Sequence, residues 1–409
     1  MWLVIAGCVP GYAPAQQTYT WQQVREKFEA QNPTLRAGKI GIEESRAQEV
    51  TAYLRPNPEF IVSADQFEPF HTGPYRPLAS VLSAGAITYL HERKHKRELR
   101  RESAEKATDI NISQQDDLDR TLLFTLRTAF VQTLQAKAVR AVAQDSLAQY
   151  DRVLSLNRER KNAGDISQVD LDRLELARVQ FEADLQAAEV NLRTSKIQLL
   201  TFLNDRTPIE QFEITGPFDF SEQIAPLEEL RKMALEARPD LKAAVKAIDK
   251  AETDHRLAIA NGSADPIIGF DYGRNPPLIN YLGFSMSIPL RIFDKNQGEK
   301  ARTDLEIIRN RRLREASEAQ VFSDVDSAYA TVNNTVTLLR PYKTKYLLTS
   351  AKIRDTINYA YQNGAASLLD FLQAQQEYRA IQVAYLNLIG SYLTAANQLN
   401  TAVGREAIQ

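Results

Sequence analysis

The chain has 409 residues, with 50 Lys and Arg against 52 Asp and Glu and a formal net charge of −2. That balance argues against a nucleic-acid partner, and a composition 25% charged and 44% hydrophobic is not that of a helical membrane protein. Beyond the first fifteen residues no run approaches the roughly 20 consecutive apolar residues of a transmembrane helix, so any membrane crossing has to be made by β-strands.

Residues 1–17 form an expected export-signal region. "MWLVIAGCVPGYAPA" has a short apolar core followed by two alternative processing signals. Ile5-Ala6-Gly7-Cys8 is similar to a bacterial lipoprotein box, which would make Cys8 a lipidation site, and Ala13-Pro14-Ala15 is an A-x-A cleavage pattern. A positively charged n-region is missing, so the true start is expected upstream of Met1. Cys8 is the single cysteine, so an internal disulfide and a Cys-cluster metal site are excluded.

Residues 18–205 make a first repeat. "PEFIVSADQF" (58–67) and "SVLSAGAITYL" (80–90) each have about the 9–11 residues of a tilted transmembrane strand. The turn-rich stretch "EPFHTGPYRPLA" (68–79) joins them. The basic run "HERKHKRELRR" (91–101) follows. His91 and His95 are four apart, a spacing that suits a metal on a helix, but the run reads first as a solvated or headgroup-facing collar. From Lys96 to Ala163 there is no Gly or Pro, which allows one helix of about 65 residues. Leu126, Thr133, Arg140, Leu147 and Leu154 recur every seven residues, as do Leu122, Ala129, Ala136, Ala143 and Tyr150, giving a coiled-coil seam. A tip at 162–167 turns the chain into a return helix ending near Leu203, so a helical hairpin is expected over about 97–204.

Residues 206–226 form a linker, and 227–409 repeat the plan. "AQNPTLRAGKI" (30–40) matches "EARPDLKAAVK" (236–246), and "KNAGDISQVD" (161–170) matches "YQNGAASLLD" (361–370). Strands are expected at 266–274 and 281–290, and a helical hairpin at about 298–403 with its tip at 362–367. In the last strand Leu282, Phe284, Met286 and Ile288 share one face against Gly283, Ser285 and Ser287. Ile268, Phe270 and Tyr272 likewise oppose Gly269, Asp271 and Gly273. This apolar-out, small-polar-in alternation suits a lipid-facing strand, although a small soluble sheet packed on helices would also alternate. Val332, Leu339, Tyr346, Ile353 and Ala360 keep the heptad spacing, with Pro341 interrupting that helix. Gly164 and Gly364 suit the left-handed position that ends a helix, and Ser167 and Ser367 can cap the next, with Asp170 and Asp370 as capping-box acids. No nucleophile triad, phosphate loop or paired-carboxylate cleft stands out, so neither an enzyme nor a cofactor is expected.

This order of elements, present twice, resembles the TolC-like outer-membrane efflux protein family from about Tyr19 to Gly404. The phrases that carry the resemblance are "SIPLRIFDKNQGEKA" (287–301) and "NGAASLLDFLQAQQEYR" (363–379). "FDKNQG" is most similar to the cobalt-zinc-cadmium branch of that family. The resemblance implies a mostly α fold with a small transmembrane β part. Four strands per chain would build a trimeric 12-stranded β-barrel, continued by a periplasmic α-helical barrel. It further implies a passive duct of a tripartite system, with outer-membrane lipid, a periplasmic adaptor and an inner-membrane RND pump as partners and heavy-metal cations as cargo. Ala163, Gly164, Asp165 and Ser167, with Asn363, Gly364, Ala365 and Ser367, would be adaptor-docking tips. Asp370, Gln373 and Asp170 would line the periplasmic aperture, where the family's second acid is replaced here by Gln373 and Arg173. A multidrug or type I secretion duct is the alternative within this class, and a periplasmic coiled-coil scaffold the alternative outside it.

Overall fold

A computed structural model describes residues 17–66, 81–275 and 279–408. Cys8, both processing signals and the loop 68–79 lie outside these residues, as do 276–278 of the second loop. In chain order the first copy gives β1 (Gln17–Tyr19), α1 (Trp21–Gln31), α2 (Pro33–Tyr53), β2 (Glu59–Asp65), β3 (Leu82–Leu90), α3 (Lys96–Ala163) and α4 (Gln168–Phe202). After β4 (Phe212–Ile214) the second gives α5 (Leu227–Ala237), α6 (Pro239–Asn261), β5 (Ile267–Asn275), β6 (Ile279–Ser287), α7 (Gln297–Pro341), α8 (Leu347–Gln362) and α9 (Leu368–Val403). The fold is mostly helical with a small sheet part.

Two compact units result, each drawing on both copies. One holds the described residues up to Ala37 with Asp117–Arg238 and everything from Gln320; the other holds Gly38–Asp116 and Pro239–Ala319. The core of the first is built on the seam of α3. Leu126, Ala129, Phe130 and Leu134 pack with Val24 and Phe28 of α1, Leu35 of α2, Leu199 and Leu200 of α4, and Phe212 and Ile214 of β4.

β4 lies within the stretch read from sequence as a linker, and it pairs in parallel with β1. The described residues therefore hold two short strands beyond the four expected. Three residues each are too few to show a period of two. Lys196 secures this ribbon: its buried Nζ donates to the Phe212 carbonyl (2.8 Å) and to Glu213 (2.9 Å), which Lys137 also meets at 3.0 Å. Burial alone would raise the Glu213 carboxyl, but hydrogen bonds from the two lysines outweigh it and hold the group below the usual range.

Sequence matches at 30–40 and 236–246 correspond to one joint made twice. α2 and α6 both begin on proline, where the missing N–H costs nothing, and the residue before each is held extended. Asn32 Oδ1 accepts from the Thr34 and Leu35 backbones, while its Nδ2 donates to the Phe202 carbonyl at 3.3 Å. Arg238 Nη1 donates to the Ala402 carbonyl at 3.4 Å and to Asp324 at 2.7 Å. Each copy thus ties its pre-proline joint to the last turn of its own return helix, where carbonyls lack intrahelical donors.

The second seam departs from the expected spacing. Val332 and Leu339 are fully buried, whereas Tyr346 and Ile353 are exposed. Pro341 cannot donate to the helical ladder, and a π-helical turn at Tyr342–Tyr346 absorbs the defect. Its extra residue rotates every later side chain about the axis, so the buried positions resume at Tyr361 rather than along the heptad.

Truncating Arg238→Ala removes donors from a buried site, and we expect a loss of about 1.5–3 kcal/mol, the range for hydrogen bonds to charged groups. The denaturant midpoint of the purified protein measures it. An exposed control, Lys232→Ala, should stay within about 0.5 kcal/mol.

Candidate functional site

The four longer strands form one antiparallel sheet in the order β2-β3-β5-β6. Its register pairs Phe60 with Ile87, Ile87 with Phe270, and Phe270 with Phe284, and the two rings of the last pair lie 5.3 Å apart. Val62, Gly85, Tyr272 and Leu282 form the next row, and Tyr89, Ile268 and Met286 another. One face is therefore apolar across all four strands, and it is open: Phe60 is 71% exposed, Leu282 81% and Phe284 64%. The opposite face carries Ser63, Ala84, Ala86, Thr88, Gly269, Asp271, Gly283 and Ser285 in matching register, with Ile61 and Tyr281 as the larger members of the same rows. β6 ends at Ser287, before Pro289. Ile288 thus lies just past the strand, where the alternation that grouped it with Leu282, Phe284 and Met286 no longer applies.

In the other unit the two tips are built alike. Gly164 N–H donates to the Lys161 carbonyl and Asp165 N–H to that of Arg160; Gly364 and Ala365 do the same to Tyr361 and Ala360. These are Schellman closures, with φ of +88° at Gly164 and +74° at Gly364. A Cβ at either glycine would meet no atom within 4 Å, so the constraint is the backbone and the space outside is free. Ala163, Asp165, Ser167, Asn363, Ala365 and Ser367 are all exposed around them.

The caps differ. Ser367 and Asp370 form a reciprocal capping box, with Asp370 N–H donating to Ser367 Oγ and Ser367 N–H donating to Asp370 Oδ2, both at 3.1 Å. At the first tip Asp170 N–H donates to Ser167 Oγ at 3.1 Å, and the Asp170 carboxylate accepts from the Ser167 hydroxyl. Hydrogen bonds from the Ser367 side chain and backbone hold the Asp370 carboxyl below the usual aspartate range. Gln373 is exposed and its Nε2 donates to Glu377 at 2.8 Å, so an acid recurs one turn further along the helix.

Beneath the tips one cluster joins both hairpins through Tyr150, Leu154, Leu171, Leu174, Phe181, Tyr361 and Phe371. Tyr361 OH donates to buried Asn157 at 3.0 Å, and Tyr150 OH donates to the Leu174 carbonyl at 2.9 Å. Stacked pairs Tyr150–Phe181 (4.5 Å) and Tyr361–Phe371 (4.9 Å) flank them. Burial raises both tyrosine hydroxyls above their usual range, so they stay protonated donors. Asn157 was missed from sequence, although it is the next heptad position after Tyr150 and polar where the seam should be apolar. His91 and His95 are both exposed, and among the described residues no three His, Cys, Asp or Glu converge on a metal site.

With this geometry the comparisons agree. Residues 230–405 match the family model described as Outer membrane efflux protein. The match spans most of the second copy. Among solved structures, CusC is 15% identical, with 97% of this chain and 95% of that one covered and a TM-score of 0.79. The open-state MtrE channel of Neisseria gonorrhoeae is 17% identical, with 98% and 94% covered and a TM-score of 0.76. CmeC of Campylobacter jejuni is 13% identical, with 98% and 92% covered and a TM-score of 0.76. At these identities the likeness is one of fold. A search of curated proteins returned no match.

Replacing Tyr361 by Phe keeps the ring stack and removes the donor to Asn157. The buried amide oxygen is then unpaired, and we expect a loss of about 1–3 kcal/mol in the unfolding free energy, against little change for Tyr359→Phe on the exposed face.

Proposed function

We propose that this protein is an outer-membrane efflux channel, the passive exit duct of a tripartite pump. The observation that carries the reading is the four-stranded sheet, apolar on one face and mostly small or polar on the other, with β2 and β6 as edges unpaired among the described residues. No helix among the described residues is long and apolar enough to cross a membrane, which leaves the sheet as the membrane-crossing part. Four strands cannot close on themselves, since about eight make the narrowest filled barrel. β2 and β6 run in opposite directions, so β6 of one copy can pair antiparallel with β2 of the next. A ring of three copies gives twelve strands, the number the family resemblance implies. A periplasmic coiled-coil scaffold would account for the helices but leave the open apolar sheet face unexplained.

In this reading the sheet residues Leu282, Phe284 and Met286 face lipid, and the glycine tips meet a periplasmic adaptor that links the duct to an inner-membrane pump. Asp370, with Asp170 at the equivalent place, lines the periplasmic aperture. Its lowered pKa keeps it anionic, so like charges brought together by three copies repel and favour opening. For cargo we favour transition-metal cations, on the "FDKNQG" phrase alone; multidrug or type I secretion substrates are the competing class. The duct performs no chemistry and has no resident cofactor.

Two experiments test this. Phe284→Arg should cost about 2–4 kcal/mol if it faces the bilayer midplane, and abolish outer-membrane assembly, whereas Ser285→Arg on the opposite face should assemble. Equal tolerance of both would end the barrel reading. Gly364→Trp should assemble normally yet lose adaptor cross-linking and leave cells as sensitive to transition metals as the deletion strain. Loss of drug tolerance with metal tolerance intact would reassign the cargo.

A further inference from the structure

At the polar end of β3, in the unit that holds the sheet, lies a cleft of about 520 Å³. Its wall includes Arg55, His91, Arg93 and Lys94, all exposed. Among the described residues none of these four side chains has an ion-pair or hydrogen-bond partner. The two acids in the wall are already engaged: Glu92 is gripped by both terminal nitrogens of Arg100, at 2.5 and 2.9 Å, and Glu98 pairs with Arg97 at 2.9 Å. Tyr89, which also lines the cleft, belongs to the apolar face of the sheet. The cleft therefore has one greasy wall continuous with the exposed apolar rows and a cationic remainder without counter-charge.

Its shape is held from behind. Asp265 accepts from the Arg93 backbone N–H at 2.9 Å and from the buried Lys96 ammonium at 2.5 Å, and His91 N–H donates to the Pro266 carbonyl. Lys94 and His95 both have positive φ, of 60° and 56°, an uncommon pair of positions for residues with side chains. On the far side, the Arg97 and Arg101 guanidiniums lie over the Tyr53 ring at 4.3 and 4.9 Å. The strand-to-helix turn does not itself require this chemistry. After β6 the second copy makes the corresponding turn with one positive-φ residue, Asn296, whose N–H is capped by Asp294 and whose Nδ2 donates to Ala258. The second junction has fewer cations, Arg291 and Lys295, and Arg291 pairs with Asp294 at 3.7 Å, whereas the first gathers His91, Arg93, Lys94 and His95.

We propose that this cleft binds the phosphate of an anionic phospholipid, its acyl chains lying along the apolar face that begins at Tyr89. The inference rests on the outer-membrane reading above. β3 runs within five residues into α3, so this end of the strand faces the side of the membrane where the long helices stand, and the lipid belongs to that periplasmic leaflet. Unpaired guanidinium and ammonium groups at the rim of a hydrophobic band fit a phosphodiester better than a soluble anion, because only a lipid uses both walls.

The test uses the purified full chain in mild detergent, with native mass spectrometry reading bound phosphatidylglycerol against phosphatidylcholine. Wild type should prefer phosphatidylglycerol, and the triple variant Arg55→Gln, Arg93→Gln, Lys94→Gln should lose that preference by on the order of 100-fold, as three basic contacts near a membrane surface imply. A charge-matched control, Lys39→Gln, Lys232→Gln, Lys352→Gln, should retain it. Equal retention by both variants, or loss in both, overturns the site. Displacement of the lipid by glycerol phosphate at a similar concentration would make it a free-anion site and overturn the lipid assignment. Fractionation of the wild type separates the two readings: if it is absent from the outer membrane, the channel reading fails, whereas outer-membrane protein without the lipid preference sinks this inference alone.

Discussion

The unpaired edges of β2 and β6 set the terms for the rest of the chain. Each presents a row of N–H and C=O groups, and in hydrocarbon every such group left unpaired costs several kcal/mol. In water the groups would be solvated, but the apolar rows through Phe60, Phe270 and Phe284 would then be an open template for aggregation. In the proposed channel both demands are met edge against edge in a closed ring, with the apolar face outward in lipid. Because β2 and β6 run in opposite directions, copies can follow one another head to tail. Each copy entering such a ring brings four strands and two helical tips, so the symmetry of the sheet is imposed on the tips.

A chain that writes its plan twice shows where geometry forbids variation and where surroundings invite it. Gly164 and Gly364 agree because both backbones are left-handed, and Ser167 and Ser367 because both return helices need an acceptor for the same N–H. The pre-proline joints agree in task but not in residue. Asn32 reaches its helix end with a neutral amide, whereas Arg238 spans further and takes a second partner in Asp324. The strand-to-helix junctions share the task of leading a strand into a long helix but not their chemistry: one copy carries a cationic cleft and the other an Asp294–Asn296 turn. Divergence at a place where the backbone task is unchanged points to a difference in what the two places touch.

Much of the fold was legible in the sequence because its signals are long. A stretch free of Gly and Pro became the 68-residue α3, and the period of two over Ile268–Tyr272 and Leu282–Met286 gave the sheet its two faces. What escaped was short or depended on distant partners. β1 and β4 are three residues each and exist because Lys196 and Glu213 hold them to the α3–α4 core, a constraint with no local pattern. The phase of the second seam failed at Pro341: the sequence announces a break there, but whether the helix stops, kinks or takes in a residue is decided by packing on the far side. Asn157 was visible as a polar residue at a seam position, yet its meaning required Tyr361, 204 residues away, to be placed beside it.

The π-helical turn gives the second hairpin a character the first lacks. At its end and beyond it, exposed Tyr346 and Ile353 face a groove of about 340 Å³ with Tyr378 and Ile381, instead of continuing the buried seam. The segment 219–222 holds that same region, through Lys343–Asp219 at 3.2 Å, Arg340–Glu222 at 2.9 Å and the Ser221 N–H on Tyr392 OH at 3.1 Å. The ion pairs are exposed and worth little singly, so they can position the turn without locking it. At the other end of α8 the tip carries the full Ser367–Asp370 capping box, where the first tip lacks the return bond to the cap backbone. The second hairpin thus joins an interrupted helix to the more completely closed tip, while the first joins an unbroken helix to a looser one. A ring built from alternating hairpins of these two kinds would be uniform in outline but not in stiffness, and the difference traces to one proline and one hydrogen bond.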